Sequence, residues 1–254
     1  HKHGVPLIVD NTVPSPYLCR PFEHGADIVV HSLTKYLGGH GNSLGGMIVD
    51  SGNFPWAQHK QKFRRLNEPD PSYHGVVYTD ALGPAAFIGR ARVVPLRNTG
   101  AAISPFNAFM ILQGIETLAL RMDRITENTL KVAQFLQRHP KVKWVNYAGL
   151  PGQRDHVLAK KYLDGRPSGI LTFGVQGGMT GGARFQDALK LVTRLVNIGD
   201  CKSLACHPAS TTHRQLSPDE LAKAGVTEDT VRLSIGIEHI DDILEDLGQA
   251  LAAV

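Results

Sequence analysis

Two short runs of β-branched and apolar residues near the start of the chain place the strongest constraint on its fold. VPLIVD (5–10) and ADIVVHS (26–32) have the length of strands, and such runs are typical of strands buried on both faces of a parallel sheet. Prolines and a glycine punctuate the segment between them, which predicts a loop or a short helix there. GGMIVD (45–50) is predicted to be a third strand. The pattern as a whole predicts an α/β fold with a mostly parallel sheet.

A long amphipathic segment occupies the middle of the chain. Apolar side chains recur every three or four residues from Ser104, which we expect to be a helix N-cap, up to His139. This spacing predicts one long helix, or two helices joined near Gly114, and Pro140 is expected to end it. The preceding segment is rich in proline and glycine, and RRLNEPDPSYHG (64–75) is predicted to be a loop.

The remainder of the chain reads as α+β. A long helix at mid-chain often joins two domains, so we predict that residues 1–139 belong to a large domain and residues 140–254 form a C-terminal α+β domain. Asp241 is expected to cap an amphipathic C-terminal helix. The other elements predicted here are strands over 141–149, 169–177 and 230–238 and helices over 155–163 and 184–195.

Composition argues against several classes of protein. The 27 Lys and Arg against 23 Asp and Glu give a net charge of +4 without any block of like charges, so no nucleic acid is expected as a partner. No apolar run approaches the roughly 18 residues of a membrane span, and no signal peptide is visible. Three cysteines are too few for a disulfide scaffold, so the cytoplasm is the expected location. Cys201, Cys206 and His207 lack a second pair of ligands, so no metal site is expected.

The chain opens directly on a strand. Only four residues precede VPLIVD, and a buried strand needs neighbours that pair with it and cover it. We therefore expect that further chain lies upstream and that this sequence is the C-terminal part of a longer protein.

Polar residues follow the first two predicted strands. Asp10 ends VPLIVD, and Ser32, Thr34 and Lys35 follow DIVV in the stretch HSLTKYLGGHGNSLGG (31–46). In open α/β sheets ligands bind beyond the carboxyl ends of the strands, so these side chains are expected at one crevice. Hydroxyls bind phosphate, a lysine amine forms a Schiff base, and a carboxylate pairs with a protonated ring nitrogen. Together these are the requirements of pyridoxal 5'-phosphate, although a plain surface turn remains the alternative from the residues alone.

Two other features allow more than one interpretation. The glycines after Lys35 are not a phosphate-binding P-loop, because in that motif the lysine follows the glycines. They indicate either a close approach of the backbone to a ligand or a tight turn. Arg232 lies within the apolar run TVRLSIGIE (230–238), where it could form an internal salt bridge, point outward, or clamp a substrate carboxylate.

Four segments carry a resemblance to a known family. DNT (10–12), HSLTKYLGGHGNSLGG (31–46), SLACHPASTTH (203–213) and RLSIGIEHIDDILEDL (232–247) resemble the Cys/Met-metabolism family of pyridoxal-phosphate enzymes. The resemblance runs over the whole chain. It implies fold type I of the PLP-dependent transferases, of which this chain would contain part of the large domain and the C-terminal domain.

The resemblance is strongest to the sulfhydrylase branch of the family. The segment 52–104 and NIGDCKSLACHPASTTHRQLS (197–217) are similar to features of that branch. It implies a γ-replacement in which O-acetyl-L-homoserine and sulfide give L-homocysteine and acetate. Cystathionine γ-synthase, γ-lyase or methionine γ-lyase chemistry is the alternative, as is a fragment that is inactive alone. The family also implies a homo-oligomer, a dimer of dimers in the full-length form.

The resemblance assigns roles to particular residues. Lys35 would be the Schiff-base lysine and would move protons on the substrate. Asp10 would pair with the pyridine nitrogen of the cofactor. Ser203 and Arg232 would bind the α-carboxylate of the amino acid. Ser32 and Thr34 would hold the cofactor phosphate.

Overall fold

A computed structural model describes the backbone of residues 1–254 and every side chain except those of Pro218 and Ala222. Its first sheet has three strands, β1 (Ile8–Asp10), β2 (Ile28–Ser32) and β3 (Gly46–Asp50), in the order β1-β2-β3. β1 and β2 are parallel, as predicted, whereas β3 runs antiparallel to β2. The α/β class is confirmed, but this sheet is mixed rather than mostly parallel. The connection from β2 to β3 contains no helix, and a parallel crossover usually needs one.

Burial differs between the first two strands. Ile28 and Val29 in β2 are almost completely buried, whereas Ile8 in β1 is 53% exposed. The prediction that both strands are buried on both faces is therefore wrong for β1. The segment between them forms α1 (Ser15–Leu18) and a 3₁₀ turn (Pro21–His24), within the loop or short helix that was expected.

The segment from residue 51 to residue 104 is mostly short helices. Its interior is an aromatic cluster in which Trp56 stacks on Phe87 and meets Phe54 and Phe63 edge-on or tilted. The loop prediction for residues 64–75 is wrong at its start, which is helical. The helices are α2 (Arg64–Asn67), α3 (Tyr78–Leu82), α4 (Ala86–Ala91) and α5 (Arg97–Thr99), with 3₁₀ turns at Trp56–His59 and Gly83–Ala85 and a π-helical turn at Arg92–Leu96.

The long central segment forms two helices, α6 (Pro105–Glu116) and α7 (Leu118–Arg138). Ser104 is the N-cap of α6, as predicted, and its hydroxyl accepts the backbone N–H of Asn107. The break falls at Thr117, three residues beyond the predicted Gly114. α7 packs its first half against Leu33 and Tyr36 and its second half against the core of the C-terminal sheet. Because α7 contributes side chains to both hydrophobic cores, the predicted domain boundary between residues 139 and 140 remains a prediction.

The second sheet has the order β4-β5-β8-β7-β6 and is antiparallel except for the pair β6–β7. The three strands predicted in this region are confirmed. The strands are β4 (Val142–Asn146), β5 (Ile170–Val175), β6 (Thr193–Arg194), β7 (Leu204–Cys206) and β8 (Thr230–Ser234), and the helices are α8 (His156–Leu163), α9 (Gly178–Ala188), α10 (Pro218–Lys223) and α11 (Ile240–Ala252), with a 3₁₀ turn at Pro208–Ser210.

Two helix predictions in this part need correction. The helix predicted over 184–195 ends at Ala188, because the buried carboxylate of Asp246 accepts the backbone N–H groups of residues 190 to 192 and turns the chain away. The N-cap of α11 is His239, whose ring Nδ1 accepts the N–H of Asp241 at 3.3 Å. Asp241 itself lies in the first turn, where a negative charge favours the helix dipole. Within the part of the chain that the structure describes, no helix is both long and apolar enough to cross a membrane.

Candidate active site

Lys35 lies in a tight turn that directly follows β2. The turn is closed by backbone hydrogen bonds, in which Gly38 N–H donates to Leu33 O at 2.9 Å and Gly39 N–H donates to Lys35 O at 2.7 Å. Thr34 closes it from the side, since its hydroxyl accepts the N–H of Gly45 at 3.1 Å. Hydrogen bonds within the turn and from Gly45 therefore hold the backbone around Lys35 in place.

The amine of Lys35 points toward the C-terminal sheet and hydrogen-bonds the side-chain oxygen of Asn197. The backbone oxygen of Asn197 accepts an N–H of the Arg232 guanidinium at 3.3 Å. One residue thus connects the lysine and the arginine, which are far apart in the sequence. The sequence reasoning missed Asn197, although it lies in the segment 197–217 whose similarity to the sulfhydrylase branch was noted.

Asp10 lies at the carboxyl end of β1, opposite Val30 of β2. Hydrogen bonds from the side chain and the backbone of Thr12 hold the pKa of Asp10 below its ordinary value, and the nearby His31 lowers it further. The carboxylate is therefore ionised at neutral pH. Burial lowers the pKa of His31, which Asp10 partly offsets. The ring Nδ1 of His31 is buried without a hydrogen-bond partner among the described residues.

The two predicted phosphate ligands differ in their availability. The Thr34 hydroxyl is already bonded to the backbone of Gly45, and the residue is only 9% exposed, so its clearest role is to hold the lysine turn. Ser32 is half-buried, and its backbone N–H donates to the Thr12 hydroxyl at 2.8 Å. Of the two side chains, that of Ser32 fits an added anion better.

Ser203 does not offer its hydroxyl to a ligand. It is fully buried, donates to the Glu238 carboxylate at 2.9 Å, and accepts the N–H of Gly236 at 2.9 Å. The backbone N–H of Ser203 also donates to Glu238, at 2.6 Å. The hydrogen-bonding groups of Ser203 therefore serve to fix β7 against the end of β8. Its role in binding the substrate carboxylate stays a prediction, whereas Asn197 contacts both Lys35 and Arg232 directly.

Arg232 has spare hydrogen-bonding capacity. It lies in the middle of β8, half-buried, between Thr172 and Cys206 on the neighbouring strands. No carboxylate among the described side chains forms an ion pair with it, which argues against the internal salt bridge. Its contact with Asn197 uses one of its five N–H groups. The guanidinium is therefore suited to binding an anion such as a carboxylate.

The structure explains much of the glycine run. A Cβ atom on Gly39 would lie 2.5 Å from the guanidinium of Arg121, and one on Gly41 would lie 2.8 Å from the side-chain nitrogen of Asn197. Both glycines also have positive φ angles, of +78° and +64°. A Cβ on Gly45 would meet Ile111 at 2.9 Å. Close approach to other parts of the protein accounts for these glycines.

Of Cys201, Cys206 and His207, the histidine has a structural role. His207 is fully buried, with its ring bonded to the Ser210 hydroxyl and the backbone oxygen of Glu228. All three cysteines are free. Among the residues that the structure describes, no three His, Cys, Asp or Glu side chains gather as metal ligands.

The residues present fit pyridoxal phosphate. An ionised Asp10 suits a protonated ring nitrogen, the Lys35 amine suits an aldehyde, and the buried Nδ1 of His31 beside Asp10 is a polar atom that still needs a partner. Arg232 supplies a cation for a second, carboxylate-bearing molecule. An α/β fold with Asp10 at the end of β1, a lysine just after the neighbouring parallel strand, and Asn197 between that lysine and Arg232 is typical of the class of enzymes that hold pyridoxal phosphate on a lysine.

Comparison with known proteins agrees with this class. The model of the family described as "Cys/Met metabolism PLP-dependent enzyme" matches residues 1–252. The chain therefore belongs to the Cys/Met-metabolism family of PLP-dependent enzymes.

Several relatives in this family are similar over almost the whole chain. An O-acetyl-L-homoserine sulfhydrylase from Leptospira meyeri is 56% identical over 98% of the chain, and O-acetyl-L-homoserine sulfhydrylase 1 from Thermus thermophilus is 52% identical over 99%. A crystal structure of a protein from Campylobacter jejuni described as an O-acetylhomoserine (thiol)-lyase matches 99% of the chain with a TM-score of 0.92 and 44% identity. That protein carries N'-pyridoxyl-lysine-5'-monophosphate. The chain spans 58% to 60% of the length of these three proteins.

Proposed function

We propose that this chain belongs to an enzyme that catalyses γ-replacement on O-acetyl-L-homoserine, with sulfide as the nucleophile and L-homocysteine and acetate as products. The observation that carries the proposal is Asn197, which holds the amine of Lys35 and the guanidinium of Arg232 at one place. An amino acid needs these two groups, a base near its Cα and a cation for its carboxylate. The names of the relatives, which are O-acetylhomoserine sulfhydrylases at 52% and 56% identity, support the choice of substrate and nucleophile.

The residues of this chain have separate tasks in the proposed reaction. Arg232 binds the α-carboxylate of the substrate through its planar fork. The Lys35 amine accepts and returns protons at Cα and Cβ, and Asn197 holds that amine in place between transfers. Asp10 keeps the ring nitrogen of the cofactor protonated, and Ser32 binds its phosphate. When bound, pyridoxal phosphate supplies an electron-withdrawing ring conjugated to the substrate.

The overall reaction balances without an oxidant or a reductant. The bond between Cγ and the acetyl ester oxygen breaks, and acetate leaves with the electron pair. A bond between Cγ and the sulfur of HS⁻ forms, so one anion replaces another. The protons that Lys35 removes from Cα and Cβ return to the same carbons, which makes the lysine a catalyst rather than a reactant.

The test is homocysteine production by the full-length gene product loaded with pyridoxal phosphate. O-acetyl-L-homoserine and sulfide are supplied, and homocysteine is measured by mass spectrometry. We expect Lys35→Ala to abolish turnover, because the amine that moves protons is lost, and exposed Lys60→Ala to leave it unchanged. Homocysteine formation at an undiminished rate by Lys35→Ala would overturn the proposed role of this lysine.

The nature of the nucleophile is tested separately. Replacement of sulfide by cysteine would give cystathionine if the enzyme were a γ-synthase, and release of ammonia without any nucleophile would indicate a γ-lyase. We expect sulfide to be used much faster than cysteine and little ammonia to be released. The opposite ranking would reject the sulfhydrylase assignment while leaving the lysine chemistry intact.

We also propose that the full-length protein is a homo-oligomer, as the family resemblance implies, and that it is located in the cytoplasm. Apolar side chains on α6 support the oligomer, since Phe106, Phe109 and Leu112 are each more than half exposed. Light scattering of the purified protein is expected to give a multiple of the mass of one full-length chain. A monomeric mass at micromolar concentration would contradict it.

A further inference from the structure

Arg121 is buried beneath the lysine turn. It lies in the first turn of α7, and its side chain is among the buried charged groups, with 5% of the residue exposed. Burial lowers the pKa of its guanidinium. No carboxylate among the described residues pairs with it, so its charge is balanced in another way.

The partners of Arg121 are backbone carbonyls of the lysine turn and of α6. Its Nη1 donates to Tyr36 O at 2.7 Å, and its Nη2 donates to Leu37 O at 3.2 Å and to Gly114 O at 2.7 Å. Its Nε donates to the Thr117 hydroxyl at 3.2 Å. The planar fork therefore bridges the two residues that follow Lys35 and the end of α6, where the helix breaks.

The turn lies directly on this guanidinium. A Cβ on Gly39 would come within 2.5 Å of Nη1, and a Cβ on Gly114 would come within 2.1 Å of Gly38 O. On its other side, the turn is tied to the C-terminal part of the chain by the hydrogen bond from Cys201 N–H to Gly39 O at 2.8 Å. Residues 36–39 are thus held between Arg121 and the segment that contains Asn197.

We propose that Arg121 is a positioning residue, which fixes the backbone after Lys35 so that the amine faces Asn197 and the cofactor. This inference rests on the proposed function, in which Lys35 holds the cofactor and moves protons. Arg121 does not touch the reacting atoms. It acts through the carbonyls of Tyr36 and Leu37, which are adjacent to the lysine in the sequence.

The test replaces Arg121 with lysine in the full-length gene product. An ammonium keeps the charge but lacks the fork that reaches three carbonyls at once. Two properties of the cofactor site are measured: the dissociation constant for pyridoxal phosphate, and the pH midpoint of the absorbance of the bound cofactor. We expect Arg121→Lys to raise the dissociation constant roughly tenfold or more and to shift the midpoint, because the amine of Lys35 is no longer held in one place.

Two control variants separate positioning from simple loss of stability. Arg124→Lys changes an exposed arginine one turn further along α7 and is expected to leave both measurements unchanged. Leu136→Ala destabilises the same helix at a fully buried position far along it from the turn. We expect it to lower the urea midpoint without shifting the pH midpoint. Equal shifts in Leu136→Ala and Arg121→Lys would overturn the proposal.

The failure of this inference is distinguishable from failure of the proposed function. Borohydride reduction of the wild-type protein with pyridoxal phosphate should place the pyridoxyl group on the peptide that contains Lys35; its absence would reject the cofactor role. If wild type is labelled and Arg121→Lys has unchanged affinity and pH midpoint, only the positioning role is rejected. Should Arg121→Lys not fold, Thr117→Val removes the Nε contact together with the hydrogen bond from the Thr117 hydroxyl to Gly114 O, and an unchanged pH midpoint in that variant would reject the role as well.

Discussion

Replacing Gly39 with alanine has two energetic costs, which are the strain of a left-handed backbone and the steric clash of the new Cβ with Arg121. Gly39 has a φ angle of +78°, and a Cβ there would lie 2.5 Å from Nη1 of Arg121. Gly25 is a matched control, because its φ is +86° and no atom lies within 4 Å of the Cβ that alanine would add. Gly25→Ala therefore imposes only the strain of a left-handed alanine, whereas Gly39→Ala also displaces the guanidinium.

The magnitudes follow from the contacts. A left-handed alanine costs about 1 to 2 kcal/mol, which applies to both variants. Displacing the guanidinium weakens its bond to Tyr36 O, and a hydrogen bond to a charged group contributes about 1.5 to 3 kcal/mol. We expect Gly39→Ala to reduce the free energy of unfolding by about 2.5 to 5 kcal/mol, and Gly25→Ala by about 1 to 2 kcal/mol.

Urea unfolding of the two variants and of wild type, followed by tryptophan fluorescence, measures these differences. The affinity for pyridoxal phosphate is measured on the same samples under folding conditions. We expect the affinity to fall in Gly39→Ala and to stay unchanged in Gly25→Ala. Equal destabilisation of the two variants would refute the reasoning, because it would mean that the guanidinium moves aside at no cost.

Three further predictions test other parts of the structure. Burial raises the pKa of Tyr36 to about 12. The stability that depends on its neutral hydroxyl is fully present below pH 10, and roughly 3 kcal/mol of it is lost as the pH rises from 10 to 12. Tyr36→Phe should reduce this alkaline loss of stability in urea titrations, and an unchanged loss would contradict the prediction. Asp246→Asn should cost about 2 to 4 kcal/mol in urea unfolding, because the carboxylate accepts three backbone N–H groups, while exposed Glu245→Gln on the same helix should have little effect. Arg232→Lys should raise the KM for O-acetyl-L-homoserine at least roughly tenfold with a smaller change in kcat, since an ammonium replaces a bidentate fork; an unchanged KM would exclude Arg232 from carboxylate binding.

Much of the fold followed from local patterns in the sequence. β2, β5 and β8 are β-branched runs with clear boundaries, and the N-cap at Ser104 is a short-range signal that needs no tertiary information. The end of α9 could not be found in this way. The apolar periodicity continues beyond Ala188, and what stops the helix is a carboxylate 58 positions further along the chain, at Asp246.

The candidate site likewise contains some residues that local sequence patterns predict and others that only tertiary contacts reveal. Asp10 and Lys35 were predicted because the first ends a strand and the second lies just beyond one, and the parallel pairing of β1 and β2 places those strand ends at one edge. Asn197 carries no such signal, since an asparagine in a loop is common and its importance comes from contacts with Lys35 and Arg232. Ser203 is the opposite case, and its role in binding the substrate carboxylate stays a prediction. A serine in a loop-like, hydroxyl-rich segment resembles a ligand, and only the structure reveals that Glu238 already binds it.

The contact between Lys35 and Asn197 joins residues 162 positions apart, and this separation has a consequence for biosynthesis. A ribosome that adds about 5 to 20 residues per second completes the lysine turn many seconds before the residues that cover it emerge. During that interval the amine has no partner from the C-terminal sheet. Refolding experiments should accordingly recover the secondary structure of β2 and its turn before the competence to bind the cofactor, because the long loop must close first.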